Sequence, residues 1–133
     1  MNEEIISNLE LTIPIERSIQ AELLLLLGQY PSHGYELIQR LNDAAFKSGE
    51  ADAATVYRNL RRMDKDGLIQ SHWEVGESGP GRRLYELTPY GEDSLKLWAQ
   101  HIAQQKTKLE NFLQAYFQFE ESLFKRKDGV KRT

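Results

Sequence analysis

At Asp66-Gly67 the spacing of the chain's apolar residues changes from three and four to two. Before this point Val56, Leu60 and Met63 mark one stripe of a helix. After it Ile69, Trp73 and Val75 alternate with Gln70, His72 and Glu74, the period of a strand with one face on a core. Gly67 suits the left-handed residue that ends a helix. Gly76-Glu77-Ser78-Gly79-Pro80-Gly81 is a concentrated turn, and from Arg82 to Leu87 the alternation resumes with Tyr85 and Leu87 facing inward. A helix that runs directly into a hairpin restricts the fold class to mainly α with a small β-hairpin.

Two further helices are expected upstream. Residues 17–29 hold strong helix formers and five successive leucines, Leu23 to Leu27, which leave little polar face and predict a helix surrounded by others. Pro31 stops it, and Ser32 is placed to cap a second helix over residues 33–46, with Tyr35, Ile38, Leu41 and Ala45 on the first helix. Gly34 in its first turn implies close approach of another element. Asp52 is the expected N-cap of the third helix, whose outer positions Thr55, Arg58, Asn59, Arg61, Arg62 and Lys65 are polar and mostly basic.

Composition removes several function classes. There is no cysteine among the 133 residues, so disulfides, thiolate metal sites and cysteine nucleophiles are excluded, and a reducing, cytoplasmic setting is expected. No apolar run approaches a membrane span, and Glu3 and Glu4 stand where an export signal would be basic. His33, His72 and His101 lie on different expected elements without metal-ligand spacing, and no nucleophile and base or phosphate-cradling motif occurs. The expectation is no catalytic residue, no metal and no cofactor. The net charge of −3 does not exclude nucleic acid, because the field that matters is local: Arg58, Arg61, Arg62 and Lys65 cluster, while Glu3, Glu4, Glu10 and Glu16 load the N-terminal arm.

Three helices followed by a hairpin is the order of a winged helix-turn-helix, in which the third helix enters the DNA major groove and the hairpin, the wing, reaches the neighbouring backbone or minor groove. Arg82 and Arg83 follow directly on the wing turn. Pro31-Ser32-His33-Gly34-Tyr35-Glu36-Leu37, Thr55-Val56-Tyr57-Arg58-Asn59-Leu60-Arg61-Arg62-Met63, Asp66-Gly67-Leu68-Ile69 and Arg83-Leu84-Tyr85-Glu86-Leu87-Thr88-Pro89-Tyr90-Gly91 follow in this order and spacing. Together they resemble the PadR family of transcriptional regulators, across roughly residues 18–95 and in its short branch with a single helix after the wing. The resemblance implies a bacterial DNA-binding regulator, a homodimeric repressor on an inverted-repeat operator. It puts Tyr57 and Arg58 on the recognition helix, Ser32, His33 and Tyr35 near phosphate, and Arg82 and Arg83 on the wing. Tyr57 suits the edge of the core equally well. The chain has Ala53 or Ala54 where the family commonly has Gly, and Arg58 where it commonly has Pro, which bears on base preference.

Thr88-Pro89 opens a last helix, with Thr88 as N-cap and Pro89 in the first turn. Leu95, Trp98, Ile102, Gln105, Leu109, Phe112, Tyr116, Phe119 and Leu123 recur at three and four, a heptad seam expected to be the dimer interface, widened by Leu113 and Phe117. The resulting organisation is an N-terminal arm (1–16), a winged helix-turn-helix (17–88), a dimerisation helix (89–124) and a basic tail (125–133). The resemblance adds a small hydrophobic effector held at the aromatic interface, and tryptophans 73 and 98 are otherwise expected in the core. The other reading is a winged helix that binds a protein instead of DNA.

Overall fold

A computed structural model describes residues 15–47, 49–76 and 79–132. The elements are α1 (Ile15–Gln29), β1 (Ser32–His33), α2 (Gly34–Asp43), α3 (Ala53–Lys65), β2 (Ile69–Glu74), β3 (Arg82–Leu87) and α4 (Pro89–Arg132). They divide into two compact units, one ending at Lys96 and one beginning at Leu97. Among the described residues no helix is long and apolar enough to cross a membrane. Most of the expected arm lies outside the described residues, and α1 begins within it, at Ile15.

The leucine run does what its lack of a polar face requires. Leu23, Leu24, Leu26 and Leu27 are buried with Ile19, and only Leu25 reaches solvent. From α3, Val56, Leu60 and Met63 close over this helix and are fully buried. Asn59, expected among the outer residues, is buried as well; its amide donates to the Thr55 carbonyl at 2.9 Å, so its polar end is satisfied within the helix. Asp52 caps α3 by accepting from the Thr55 N–H at 2.8 Å, and the Thr55 bonds hold its carboxyl below the usual range.

At the far end of α3, Gly67 takes a φ of 79°, letting its N–H reach the Asp64 carbonyl at 3.1 Å and the Leu68 N–H reach that of Met63 at 2.9 Å. The carbonyls of Gly67 and Leu68 then receive the start of α4. Thr88 donates its N–H to Leu68 at 3.2 Å, its hydroxyl points at both carbonyls (2.7 and 2.9 Å), and that same hydroxyl oxygen accepts from the Gly91 N–H at 3.0 Å. Thr88 is thus both the helix cap and the stitch to the turn after α3.

The second helix departs from expectation. Ser32 and His33 form a short strand against β3, with Ser32 opposite Tyr85 and His33 opposite Leu84, giving a three-stranded antiparallel sheet in the order β1-β3-β2. Two residues are too few to show alternation in a sequence. The helix therefore begins at Gly34 and ends at Asp43, and its buried residues are Gly34, Leu37 and Leu41; of the expected stripe Leu41 is buried and Ile38 half-buried, while Tyr35 and Ala45 are exposed. Its N-cap is His33, not Ser32, with the Glu36 carboxylate accepting from the His33 N–H at 3.1 Å.

Ser32 is fully buried and serves a different purpose. Its hydroxyl accepts from Arg40 Nη1 at 2.6 Å. The same guanidinium donates to the carbonyls of Leu26 (2.6 Å) and Tyr30 (3.2 Å) and to Gln29 Oε1 (3.2 Å), with its carbon 3.6 Å from the centre of the Tyr30 ring. Arg40 therefore closes the C-terminal end of α1, where carbonyls lack helical partners. Replacing it with Ala should cost about 2 to 3 kcal/mol, because Ser32 is left buried without a donor as well as the helix end. Lys should recover only part, since one ammonium cannot reproduce the planar fork. Urea unfolding of both variants checks this, and an Arg40→Ala chain as stable as the parent would contradict it.

The second unit is the continuation of α4. Ile102, Leu109, Phe112, Leu113, Tyr116, Phe117 and Phe119 are exposed, while Trp98, Gln105 and Leu123 are partly covered. The helix does not stop near Phe124 but continues through the basic segment to Arg132. No proline interrupts it, and Lys125 lies 3.5 Å from the Glu121 carboxylate one turn earlier, a pairing that favours continuation.

Candidate nucleic-acid interface

The buried stripe of α3 fixes what its other side presents. Arg58, Arg61, Arg62 and Lys65 are all exposed, and Thr55 is half-buried near the start of the helix. Tyr57 is half-buried because its ring covers Gly34: a Cβ at that glycine would come within 3.0 Å of the ring carbons and hydroxyl. The close approach implied by Gly34 is thus to the third helix, and Tyr57 is a core-edge residue that seats α3 on the start of α2.

The three residues expected near phosphate at that start have other engagements. Ser32 is buried on Arg40 and has no surface to offer. Both ring nitrogens of His33 face carboxylates, Nδ1 toward Glu36 and Nε2 toward Glu74 at 3.1 Å. Hydrogen bonds from the His33 side chain and then its backbone hold the Glu36 carboxyl below its usual range. Tyr35 is about half exposed; its ring stacks on His33 at 5.9 Å and its hydroxyl accepts from Arg82 Nη1 at 2.9 Å. This corner fastens the wing to α2.

The wing pairs Ile69 with Leu87, Ser71 with Tyr85, Trp73 with Arg83 and Glu74 with Arg82. Directly opposed residues share a face, and neighbours along a strand lie on opposite faces. Arg82 and Arg83 therefore point to different sides of the ribbon. Arg83 donates to the Ser71 hydroxyl at 2.8 Å, and that hydroxyl donates to Asp64 of α3 at 2.9 Å. Tyr85 is buried on the same face, and this burial raises its hydroxyl above the usual tyrosine range.

Sequence reasoning missed both this relay and the position of Trp73. The alternation puts Trp73 on the correct face, with Ile69, but that end of the ribbon is open: the residue is 61% exposed, and Val75 beyond it more so. Among the described residues no group of three or more acidic or histidine side chains could hold a metal ion.

Residues 23–97 match the model of the transcriptional regulator PadR-like family. The chain belongs to that family. Among solved structures, a PadR family transcription regulator from Clostridium difficile is 28% identical, with a TM-score of 0.64 over 71% of this chain and 97% of its own. A PadR-like transcriptional regulator from Bacillus cereus is also 28% identical, with a TM-score of 0.65 over 75% of this chain and 95% of its own. An uncharacterized protein from Lysinibacillus sphaericus is 24% identical over 90 residues, 65% of this chain and 83% of its own. As a PadR-like protein the chain is a DNA-binding transcriptional regulator and not an enzyme. Its winged helix is the one expected from the order of its elements.

Proposed function

We propose that this PadR-like regulator is a cytoplasmic homodimeric repressor that reads an inverted-repeat operator with α3. The observation that carries the reading is the outer side of α3, where Arg58, Arg61, Arg62 and Lys65 stand exposed while Val56, Leu60 and Met63 are fully buried. Such a helix offers bidentate donors for base edges and charge for phosphate. Dimerisation is supported by the seam on α4, where Ile102, Leu109, Phe112, Tyr116 and Phe119 expose more apolar surface than a soluble helix retains alone. Leu95, Trp98 and Leu123 extend the same stripe. Pairing of these helices holds two reading helices about one DNA turn, roughly 34 Å, apart. A small hydrophobic effector that enters among the aromatic rings of the seam is the natural means of release.

Selection of binding sites from random duplex DNA, run beside sedimentation of the free chain and of a form ending near Gln100, tests this. The expected outcome is an enriched pseudo-palindrome with half-sites one turn apart, a dimeric full chain and a monomeric shortened one. No enrichment would remove the DNA-reading assignment. A monomeric full chain at micromolar concentration, or a shortened chain that still dimerises, would remove the interface.

A further inference from the structure

The two faces of the wing are built for different tasks. On one, Arg82 donates to the Tyr35 hydroxyl and lies 5.4 Å from the centre of the Tyr35 ring, while Glu74 opposite it meets His33. On the other, Trp73 and Arg83 stand one pair beyond Ser71 and Tyr85. The Arg83-Ser71-Asp64 relay ties this face to α3. The second face therefore lies on the side of the basic helix.

Trp73 is held in place there and yet open. Its ring covers Gly81, where an added Cβ would stand 3.1 Å from the ring carbon Cε3, and the Arg83 guanidinium lies 5.1 Å from the ring centre. Still it is 61% exposed, unusual for the side chain with most to gain from burial. The Arg83 guanidinium borders the open ring, and Arg58, Arg61, Arg62 and Lys65 are exposed on α3, the helix to which this face of the wing is tied. An apolar plate beside positive charge fits a polyanion that also carries apolar surface. In duplex DNA the base faces are stacked away, and the apolar surface left beside the phosphates is that of the deoxyribose rings.

We infer that Trp73 and Arg83 form a contact of the wing with the DNA backbone, Trp73 packing on a deoxyribose and Arg83 pairing with the adjacent phosphate, while Arg82 is a positioning residue that braces the wing on Tyr35. The inference rests on the DNA-binding reading and adds a residue to it. It also separates two neighbouring arginines that sequence alone treats alike. Because sugar and phosphate are the same at every step, the contact adds affinity without base preference.

The full chain labelled with fluorotryptophan gives two fluorine resonances, one for each tryptophan, and the Trp73→Phe variant assigns them. Addition of mixed-sequence duplex DNA at low salt should shift the Trp73 resonance and remove its sensitivity to solvent. Trp73→Ala should bind this duplex about tenfold more weakly with an unchanged salt slope, as expected when only apolar burial is removed. Arg83→Ala should lower the slope by about one. Arg82→Gln should leave the slope as it is, since its charge pairs with no phosphate. A Trp73 resonance that stays solvent-sensitive while the labelled chain is saturated with duplex would overturn the proposal and turn the plate toward a protein partner. Loss of the slope difference between the Arg82 and Arg83 variants would overturn the division of roles. Failure of the parent chain to bind any duplex would instead defeat the DNA reading beneath it.

Discussion

Alanine at both Arg58 and Arg61 is expected to abolish operator recognition in a chain that folds as well as the parent. Both side chains are exposed and lie off the stripe that packs α3, so their removal opens no cavity. Removing one side chain that reads a base costs about 1 to 3 kcal/mol, and two together lower specific affinity by roughly a hundredfold or more. Non-specific binding should fall much less, because Arg62, Lys65 and Arg83 remain as exposed positive charge for phosphate. Titration of the selected operator and of an unrelated duplex measures the two separately. An equal drop on both would show that the pair touches phosphate only, and an unchanged operator affinity would remove α3 as the reader.

The largest effect on stability is expected from Gly91→Ala. Gly91 is buried in the first turn of α4, and a Cβ there would come under 3.0 Å from the Leu68 carbonyl oxygen and 2.7 Å from Leu87 Cδ1. A leucine can turn aside, but the carbonyl belongs to the backbone and already accepts from Thr88. Relief therefore requires α4 to move off the turn, breaking the Thr88 bonds, at about 3 kcal/mol or more. Gly28→Ala is the contrasting case. There the added carbon meets Leu87 and Leu95 side chains at 3.4 and 3.5 Å, ordinary van der Waals distances, and alanine favours the helix by up to about 1 kcal/mol. Thermal unfolding should place the Gly91 variant roughly 10 °C or more below the parent and the Gly28 variant level with it or above. A Gly91 variant that melts with the parent would mean that the turn yields without cost.

The parts of this fold that are legible in sequence are those where one residue type has one local reason to be where it is. Asp52 before α3, Gly67 after it and Thr88-Pro89 before α4 act through bonds within a few residues, and each is the cap or stop it resembles. The stripe Val56-Leu60-Met63 is equally plain because a helix period repeats. Residues whose role depends on a distant partner are not legible. Ser32 suggests a cap because caps are the commonest local use of serine, but Arg40 and the Tyr85 strand outweigh that use. Tyr35 has the right spacing for the core, yet Leu37 is better placed once β1 shifts the helix start. Alternation puts Trp73 on the correct face of its strand, but it does not tell whether another element reaches that end of the strand, where the residue is 61% exposed. The candidate reading residues on α3 follow from the same helix period, whereas the split between Arg82 and Arg83 needs the register of the hairpin.

The stitch at Thr88 has a mechanical meaning. Three hydrogen bonds of the Thr88 hydroxyl, and a fourth of its N–H, converge between the end of α3 and the start of the long helix, all within the stretch from Gly67 to Gly91. The joint has little give, since Gly91 leaves no space between α4 and the Leu68 carbonyl. The first turn of α4 is thus joined to the last turn of α3 through Leu68, whose carbonyl accepts from the Thr88 N–H and whose own N–H donates to the Met63 carbonyl. Side-chain packing holds α3 to the rest of its domain, whereas its joint to α4 is made by hydrogen bonds to the backbone of the turn between them.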